Sequence, residues 1–184
     1  MRTHSSTGEQ GFSLIETIIA TAILAGGLIS LAGAYAIGLT HMKSSSPSLI
    51  AREKAREAVE SVHTARDTGD LSWDKIANVG SYAGVFLTGA QPVYRAGYDG
   101  LVNTSDDAVS GLEDIKEAGA DSILGTADDV VTPLTDYTRQ IEVTDIVNAG
   151  VTNPNLRQIR VTIKYKVAGM WRTYQLTTYI SRYS

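Results

Sequence analysis

The chain has 184 residues, of which 43% are apolar and 20% charged, a composition that suits one globular domain with an appendage and does not favour bulk disorder. Its net charge of −4 leaves no broad basic surface for phosphates, so nucleic acid is not predicted as a partner. The sequence contains no cysteine, which excludes thiolate metal sites, catalytic thiols and disulfide bonds.

A long uncharged segment dominates the N-terminal part of the sequence. From Thr17 to Thr40, 24 consecutive residues carry no formal charge. As a helix rising about 1.5 Å per residue, they would cross a hydrocarbon core of roughly 30 Å. A buried core helix is the alternative, but such a helix in a small domain usually carries a polar stripe. The pattern therefore predicts a membrane-spanning helix.

The residues in front of this segment resemble a known processing site. Residues 1–11 are polar and lack the hydrophobic region of a conventional signal peptide. From Gly11 to Glu16 the sequence reads G-F-S-L-I-E, which resembles the prepilin processing site of type IV pilins and type II secretion pseudopilins. The resemblance implies that a prepilin peptidase cuts after Gly11 and methylates the new amino terminus at Phe12.

Glu16 is a lone carboxylate at the head of the apolar run. A charge inside a membrane span costs about 2.5–3.5 kcal/mol at the centre on insertion scales and less near an end. The family resemblance implies that Glu16 of one subunit pairs with the Phe12 ammonium of a neighbour during assembly. Ser13 and Glu16 also match an S-x-x-E capping box, so a glutamate that only caps its own helix is the alternative.

The resemblance further implies a domain order and a location. Residues 1–11 would be the leader, residues 12–43 the transmembrane and filament-core helix, and residues 44–184 a head in the periplasm. The protein would start as a single-pass inner-membrane protein and end in a filament at the cell surface. Its implied partners are other pilin or pseudopilin subunits, the prepilin peptidase and N-methyltransferase, and the inner-membrane assembly platform.

The sequence does not predict an enzyme. It contains no G-x-S-x-G or phosphate-loop pattern and has few histidines, so neither a nucleophile with a base nor a phosphate cradle is evident. A membrane-anchored calcium-binding head with a ligand-binding or enzymatic role is the alternative to a structural subunit.

A second helical pattern follows the apolar run. Ser44–Pro47 predicts a kink or short break, because the residue before a proline avoids helical geometry. The pattern beyond it predicts an amphipathic helix from about Leu49 to Arg66. Its apolar positions recur at spacings of four and three: Ala51, Ala55, Ala58, Val62 and Ala65.

The C-terminal part has the alternation of β-strands. Residues 158–167 alternate strictly, with a predicted buried face of Ile159, Val161, Ile163, Tyr165 and Val167 and a predicted wet face of Gln158, Arg160, Thr162, Lys164 and Lys166. A turn near Ala168-Gly169 leads to a strand from Trp171 to Ile180, and Ile141–Val147 offers an earlier one. The predicted fold is α+β and pilin-like, a long N-terminal helix packed on a C-terminal antiparallel β-sheet. It most resembles minor pilins and minor pseudopilins of the PilV and GspI type.

Residues 97–131 form an acidic insertion with an internal repeat. Segments 97–107 and 119–129 share a glycine, an aspartate, a threonine and a final aspartate pair at an offset of 22. They resemble the D-G-x-x-G-T-x-D-D acidic loops of secreted proteins and some pilin-like heads, with Asn103 and Ser122 each replacing a glycine. Ca²⁺ prefers six to eight oxygen ligands, and clustered carboxylates need a positive partner. The predicted calcium ligands are Asp99, Asp106, Asp107, Asp121, Asp128 and Asp129. Two solvated acidic turns without metal are the alternative.

Overall fold

The computed structural model describes residues 13–183, apart from the side chains of residues 39–45. Its first element is a helix, α1, from Leu14 to Asp67. The backbone N–H groups of Glu16 and Thr17 donate to the Ser13 carbonyl at 3.0 and 3.1 Å, which forms the first turn. The predicted processing site between Gly11 and Phe12 lies outside the described residues.

The N-terminal part of α1 meets the requirements of a membrane span. Leu14–Gly38 comprises 25 residues with a mean hydropathy of 2.0, and by length and composition it is apolar enough to cross a membrane. Thr21 and Ser30 donate their hydroxyls to helix carbonyls at 2.9 Å each, so these polar groups are satisfied within the helix. The described residues contain this one candidate span.

Helix α1 continues through Pro47, so the short break predicted before the proline does not occur. A proline inside a helix costs about 3 kcal/mol, because it removes one donor and crowds the preceding turn. The residues after Pro47 bury a face in the head core, and this packing offsets that cost. The first compact unit of the chain ends at Lys43, and the second, the head, runs from Ser44 to Ser184.

The head contains a four-stranded antiparallel sheet. Its order is β1-β4-β5-β6, with strands β1 (Gln91–Pro92), β4 (Tyr137–Asn148), β5 (Val151–Val167) and β6 (Met170–Ser181). The predicted meander of three strands is thus confirmed, and the short β1 extends it. A separate hairpin, β2 (Asp114–Glu117) with β3 (Val130–Pro133), was not predicted. A short helix α2 (Asp107–Ser110) precedes it.

One face of α1 and one face of the sheet form the core of the head. The helix contributes small side chains with no exposed surface, among them Ala51, Ala55 and Ala58, and β5 contributes Ile159 and the residues that alternate with it. The predicted periodicities of helix and strand are both confirmed. The predicted wet face is wrong at Thr162, which is only 8% exposed. Its hydroxyl accepts a hydrogen bond from the Gln175 side chain on β6 at 3.2 Å, and Gln140 and Gln175 lie opposite it on the two adjacent strands.

Candidate functional site

Glu16 lies in the first turn of α1, at the end of the apolar segment. Its backbone N–H is bonded to Ser13, and the partial positive charge of a helix N-terminus favours a carboxylate at this position. Of the predicted assembly pair, Glu16 lies within the described residues and Phe12 lies outside them. The first candidate site is therefore a carboxylate at the N-terminal end of a helix that is long enough to span a membrane.

The second candidate site is the repeated segment, which folds the same way twice. We call residues 97–107 loop 1 and residues 119–129 loop 2. In loop 1 the Asp106 carboxylate accepts from the Asp99 backbone N–H at 3.3 Å and from the Thr104 hydroxyl at 2.7 Å. The same bonds recur 22 residues later in loop 2: Asp128 with Asp121 at 3.1 Å and with Thr126 at 2.6 Å.

These bonds have the same electrostatic effect in both loops. The Thr104 hydroxyl lowers the pKa of Asp106, assisted by backbone N–H groups, and the Thr126 hydroxyl lowers the pKa of Asp128. A second bond of each loop also recurs, because Leu101 and Ile123 donate their N–H groups at 2.8 Å to the aspartate two residues before them. In each loop, aspartate carboxylates therefore stabilise the turns by accepting hydrogen bonds from backbone N–H groups.

The glycine at the start of each loop is required by the aspartate that folds over it. A Cβ on Gly97 would lie 2.2 Å from the Asp106 carboxylate. A Cβ on Gly119 would lie 2.2 Å from the Asp128 carbonyl oxygen and 2.4 Å from its carboxylate. The repeated glycine therefore preserves a close contact in both copies.

The two departures from the acidic-loop pattern keep its backbone conformation. Asn103 replaces a glycine but has φ +70°, and the equivalent Gly125 has φ +93°. Ser122 replaces a glycine with φ +58°, and the equivalent Gly100 has φ +69°. Asparagine tolerates this left-handed region better than most residues. The two loops thus remain equivalent in backbone although not in side chains.

Loop 1 brings its three predicted calcium ligands together. The carboxylates of Asp99, Asp106 and Asp107 each offer an oxygen within 4.8 Å of the others. Within residues 13–183, loop 2 does not form such a cluster. Asp107 is 2% exposed, and burial raises the pKa of its carboxyl.

Protein donors already surround the Asp107 carboxylate. It accepts from the backbone N–H groups of Gly97 at 3.0 Å and Thr104 at 3.1 Å, and from that of Asn103. The loop can therefore fold through its own hydrogen bonds, which is the contact pattern that the metal-free alternative predicts. The calcium site remains a prediction.

A buried charged group lies beside loop 1, and the sequence did not predict it. Arg139 on β4 has no exposed surface, and its Nη2 donates to the Tyr94 carbonyl at 3.1 Å. Burial lowers the pKa of this guanidinium, and the carboxylates of Glu57, Glu113 and Asp107 oppose that effect. The alternation of β4 could have revealed Arg139, because it shares a face with the buried Tyr137 and Ile141. The predicted strand, however, began only at Ile141.

Arg157 on β5 was also missed, and it organises the opposite end of the head core. Its guanidinium lies over the rings of Trp73 and Tyr82, 4.6 and 4.3 Å from their centroids. Nη1 donates to the carbonyls of Trp73 and Ile76 at 2.6 and 2.9 Å, and Nε donates to Asp145 at 3.0 Å. Arg157 is 3% exposed. It therefore fixes the segment that follows α1 to the sheet.

Comparison with known proteins identifies no relative. No family model, no curated protein and no solved structure matches the chain. What the structure establishes is an α+β chain with an N-terminal helix apolar enough to span a membrane, followed by a four-stranded antiparallel sheet. Its function must be argued from its own residues.

Proposed function

We propose that the protein is a structural subunit, a minor pilin or minor pseudopilin, of a type IV pilus or type II secretion-like filament. In this proposal the chain is processed after Gly11 and assembles through its N-terminal helix. The observation that carries it is the position of Glu16, in the first turn of a 25-residue apolar segment and directly after the sequence G-F-S-L-I.

The physical reason is the cost of that carboxylate. Removing a charge from water without a partner is unfavourable, and a membrane-length helix carries Glu16 towards the hydrocarbon. Cleavage after Gly11 would place a new ammonium at Phe12, close in sequence to the acid. When subunits leave the lipid and pack side by side, the ammonium of one would neutralise the glutamate of the next.

The architecture of the head also supports the proposed class of protein. An amphipathic helix that lies on an antiparallel sheet is the head architecture that the proposal requires, and the core formed by Ala55, Val62, Ile141 and Ile163 has this layout. The proposed partners are other subunits of the filament, the peptidase and methyltransferase that process the leader, and the inner-membrane assembly platform. The proposed location is the inner membrane, with the head in the periplasm, before the chain enters the filament.

The mature N-terminus tests this function directly. We expect native protein to begin at Phe12 and to carry one methyl group on its amino nitrogen, as measured by intact mass and N-terminal fragmentation. Replacing Gly11 with valine should leave the leader attached, because a branched side chain obstructs the extended backbone at the cut. Native protein that retains residues 1–11 would contradict the proposal.

Within this function we propose that loop 1 binds Ca²⁺, because it gathers three carboxylates whereas loop 2 does not. Millimolar Ca²⁺ should raise the melting temperature of the full chain in detergent. A ligand at 100 times its Kd stabilises by about 2.7 kcal/mol, or roughly 5–10 °C for a protein of this size.

The repeat supplies a matched control for this measurement. Asp99→Asn keeps the acceptor for the Leu101 N–H and removes a charge from loop 1, and Asp121→Asn makes the same change in loop 2. We expect the Ca²⁺ response to disappear in D99N and to persist in D121N. No response in the unmodified chain, or equal responses in both variants, would favour metal-free acidic turns.

A further inference from the structure

The two copies of the repeat differ in the burial of one pair of apolar side chains. In loop 1 the pair is Leu101 and Val102, which are 4% and 1% exposed and belong to the head core. In loop 2 the equivalent Ile123 and Leu124 are 60% and 64% exposed. Because the two loops share their turn hydrogen bonds and their positive φ angles, the different exposure of the two pairs follows from where each loop lies in the head.

Within residues 44–183, the head leaves most of the apolar pair in loop 2 uncovered. The loop lies at the tip of the β2–β3 hairpin, and for the residues that the structure describes its hydrogen bonds stay within residues 119–129. The neighbouring Val130 and Val131 on β3 are 54% and 50% exposed as well. Burying an aliphatic side chain contributes about 1.5–3 kcal/mol, so a partner that covered this tip would be bound favourably.

The charge around the pair indicates the chemistry of its partner. Asp121 and Asp128 lie in the same loop, both exposed, and within residues 13–183 neither forms an ion pair with a cation. A complementary surface would therefore present an apolar contact bordered by cations.

The outer face of the sheet offers such a surface. Thr138, Lys164, Trp171 and Thr173 line a shallow pocket of about 560 Å³, and Trp171 is 60% exposed. The Lys166 ammonium lies 6.0 Å from the Trp171 ring centroid. Among the described residues no carboxylate pairs with Lys164 or Lys166. An aromatic surface with two unpaired cations thus lies on the same head as an acidic apolar tip.

We infer that loop 2 of one copy docks on this sheet surface of a second copy. Ile123 and Leu124 pack against Trp171, and the acidic side chains of loop 2 face Lys164 and Lys166. The two surfaces are different, so the contact is heterologous, and a heterologous contact that does not close into a ring adds subunits in an open chain. The inference deepens the proposed filament function, on which it rests, by naming the surfaces through which heads meet.

Cysteine cross-linking of the full chain in its membrane tests this contact, since the chain contains no cysteine of its own. Leu124→Cys and Thr173→Cys replace exposed residues on the two surfaces. After mild oxidation, the double variant should form a ladder of disulfide-linked oligomers on a non-reducing gel. Each single variant should stay monomeric, because it carries a thiol on one surface only.

A second pair controls for random collision. Val109 is 81% exposed on α2, and Val109→Cys combined with Thr173→Cys should give no ladder. An equal ladder from this control pair, or dimers from the single Leu124→Cys variant, would overturn the inference. The N-terminal residue of the same sample separates the two proposals. A ladder from uncleaved chain supports the head contact and contradicts processing, whereas a monomeric double variant that begins at Phe12 contradicts the head contact alone.

Discussion

Replacing Glu16 with glutamine is expected to lower the amount of chain in assembled filaments by about tenfold or more, while the chain still inserts in the membrane. The neutral side chain cannot compensate the ammonium proposed at Phe12 of the adjoining subunit, and an unpaired charge near hydrocarbon costs up to about 2.5–3.5 kcal/mol. Each 1.4 kcal/mol corresponds to a factor of about ten. The measurement is the ratio of processed chain in sheared filaments to processed chain in the membrane.

The choice of glutamine separates the two interpretations of Glu16. Glutamine serves a capping box nearly as well as glutamate, so a residue that only caps its own helix would tolerate the change. Thr17→Ala is the matched control, because Thr17 lies in the same turn and its hydroxyl donates only to the Ser13 carbonyl, at 3.3 Å. E16Q filaments at the unmodified level would refute charge pairing.

Replacing Arg157 with alanine is expected to destabilise the head by about 3 kcal/mol or more. The change leaves the carbonyls of Trp73 and Ile76 without their donor and removes the cation that lies over both aromatic rings. Asp145 is 27% exposed at its side chain, so water compensates part of the lost ion pair. Lysine should not rescue the variant, because it lacks the planar guanidinium that bonds the carbonyls through Nη1, bonds Asp145 through Nε and stacks on the rings.

Arg160 provides the comparison on the same strand. Its side chain is 44% exposed and lies 3.7 Å from Glu142, a geometry worth little in water. Arg160→Ala should therefore change the free energy of unfolding by less than about 0.5 kcal/mol. Urea unfolding of the full chain in detergent, followed by tryptophan fluorescence, measures both variants. Equal midpoints for R157A and R160A would show that the buried guanidinium does not organise the head.

The predictions that held depend on local periodicity. The alternation around Ile159 and Val161 on β5 and the spacing of Ala51, Ala55 and Ala58 on α1 are properties of neighbouring residues, and the structure buries these side chains. Strand β1 has two residues and includes a proline, so it is too short to produce a pattern. Its position is set by its antiparallel pairing with β4 at the edge of the sheet.

What the sequence could not predict depends on contacts between distant residues. Arg157 reads as one of several basic residues on β5, and its acceptor on Trp73 lies 84 residues away. The acidic loops were recognisable as a repeat, because their spacing is local. Their different burial was not, since Leu101-Val102 and Ile123-Leu124 look equally apolar. Only the tertiary fold distinguishes the copy that lies in the core from the copy at the hairpin tip.

Duplication gives these two loops different freedom to vary. In loop 1 a change at Val102 alters the packing of the whole head, because that side chain is 1% exposed. Loop 2 connects the two strands of the separate β2–β3 sheet, so substitutions at its tip do not disturb the core. A foreign peptide grafted between Ser122 and Gly125 would leave the fold of the head intact, but it would remove the apolar pair of the proposed contact between heads. At this position the choice of neighbouring subunit can therefore evolve at little cost to folding.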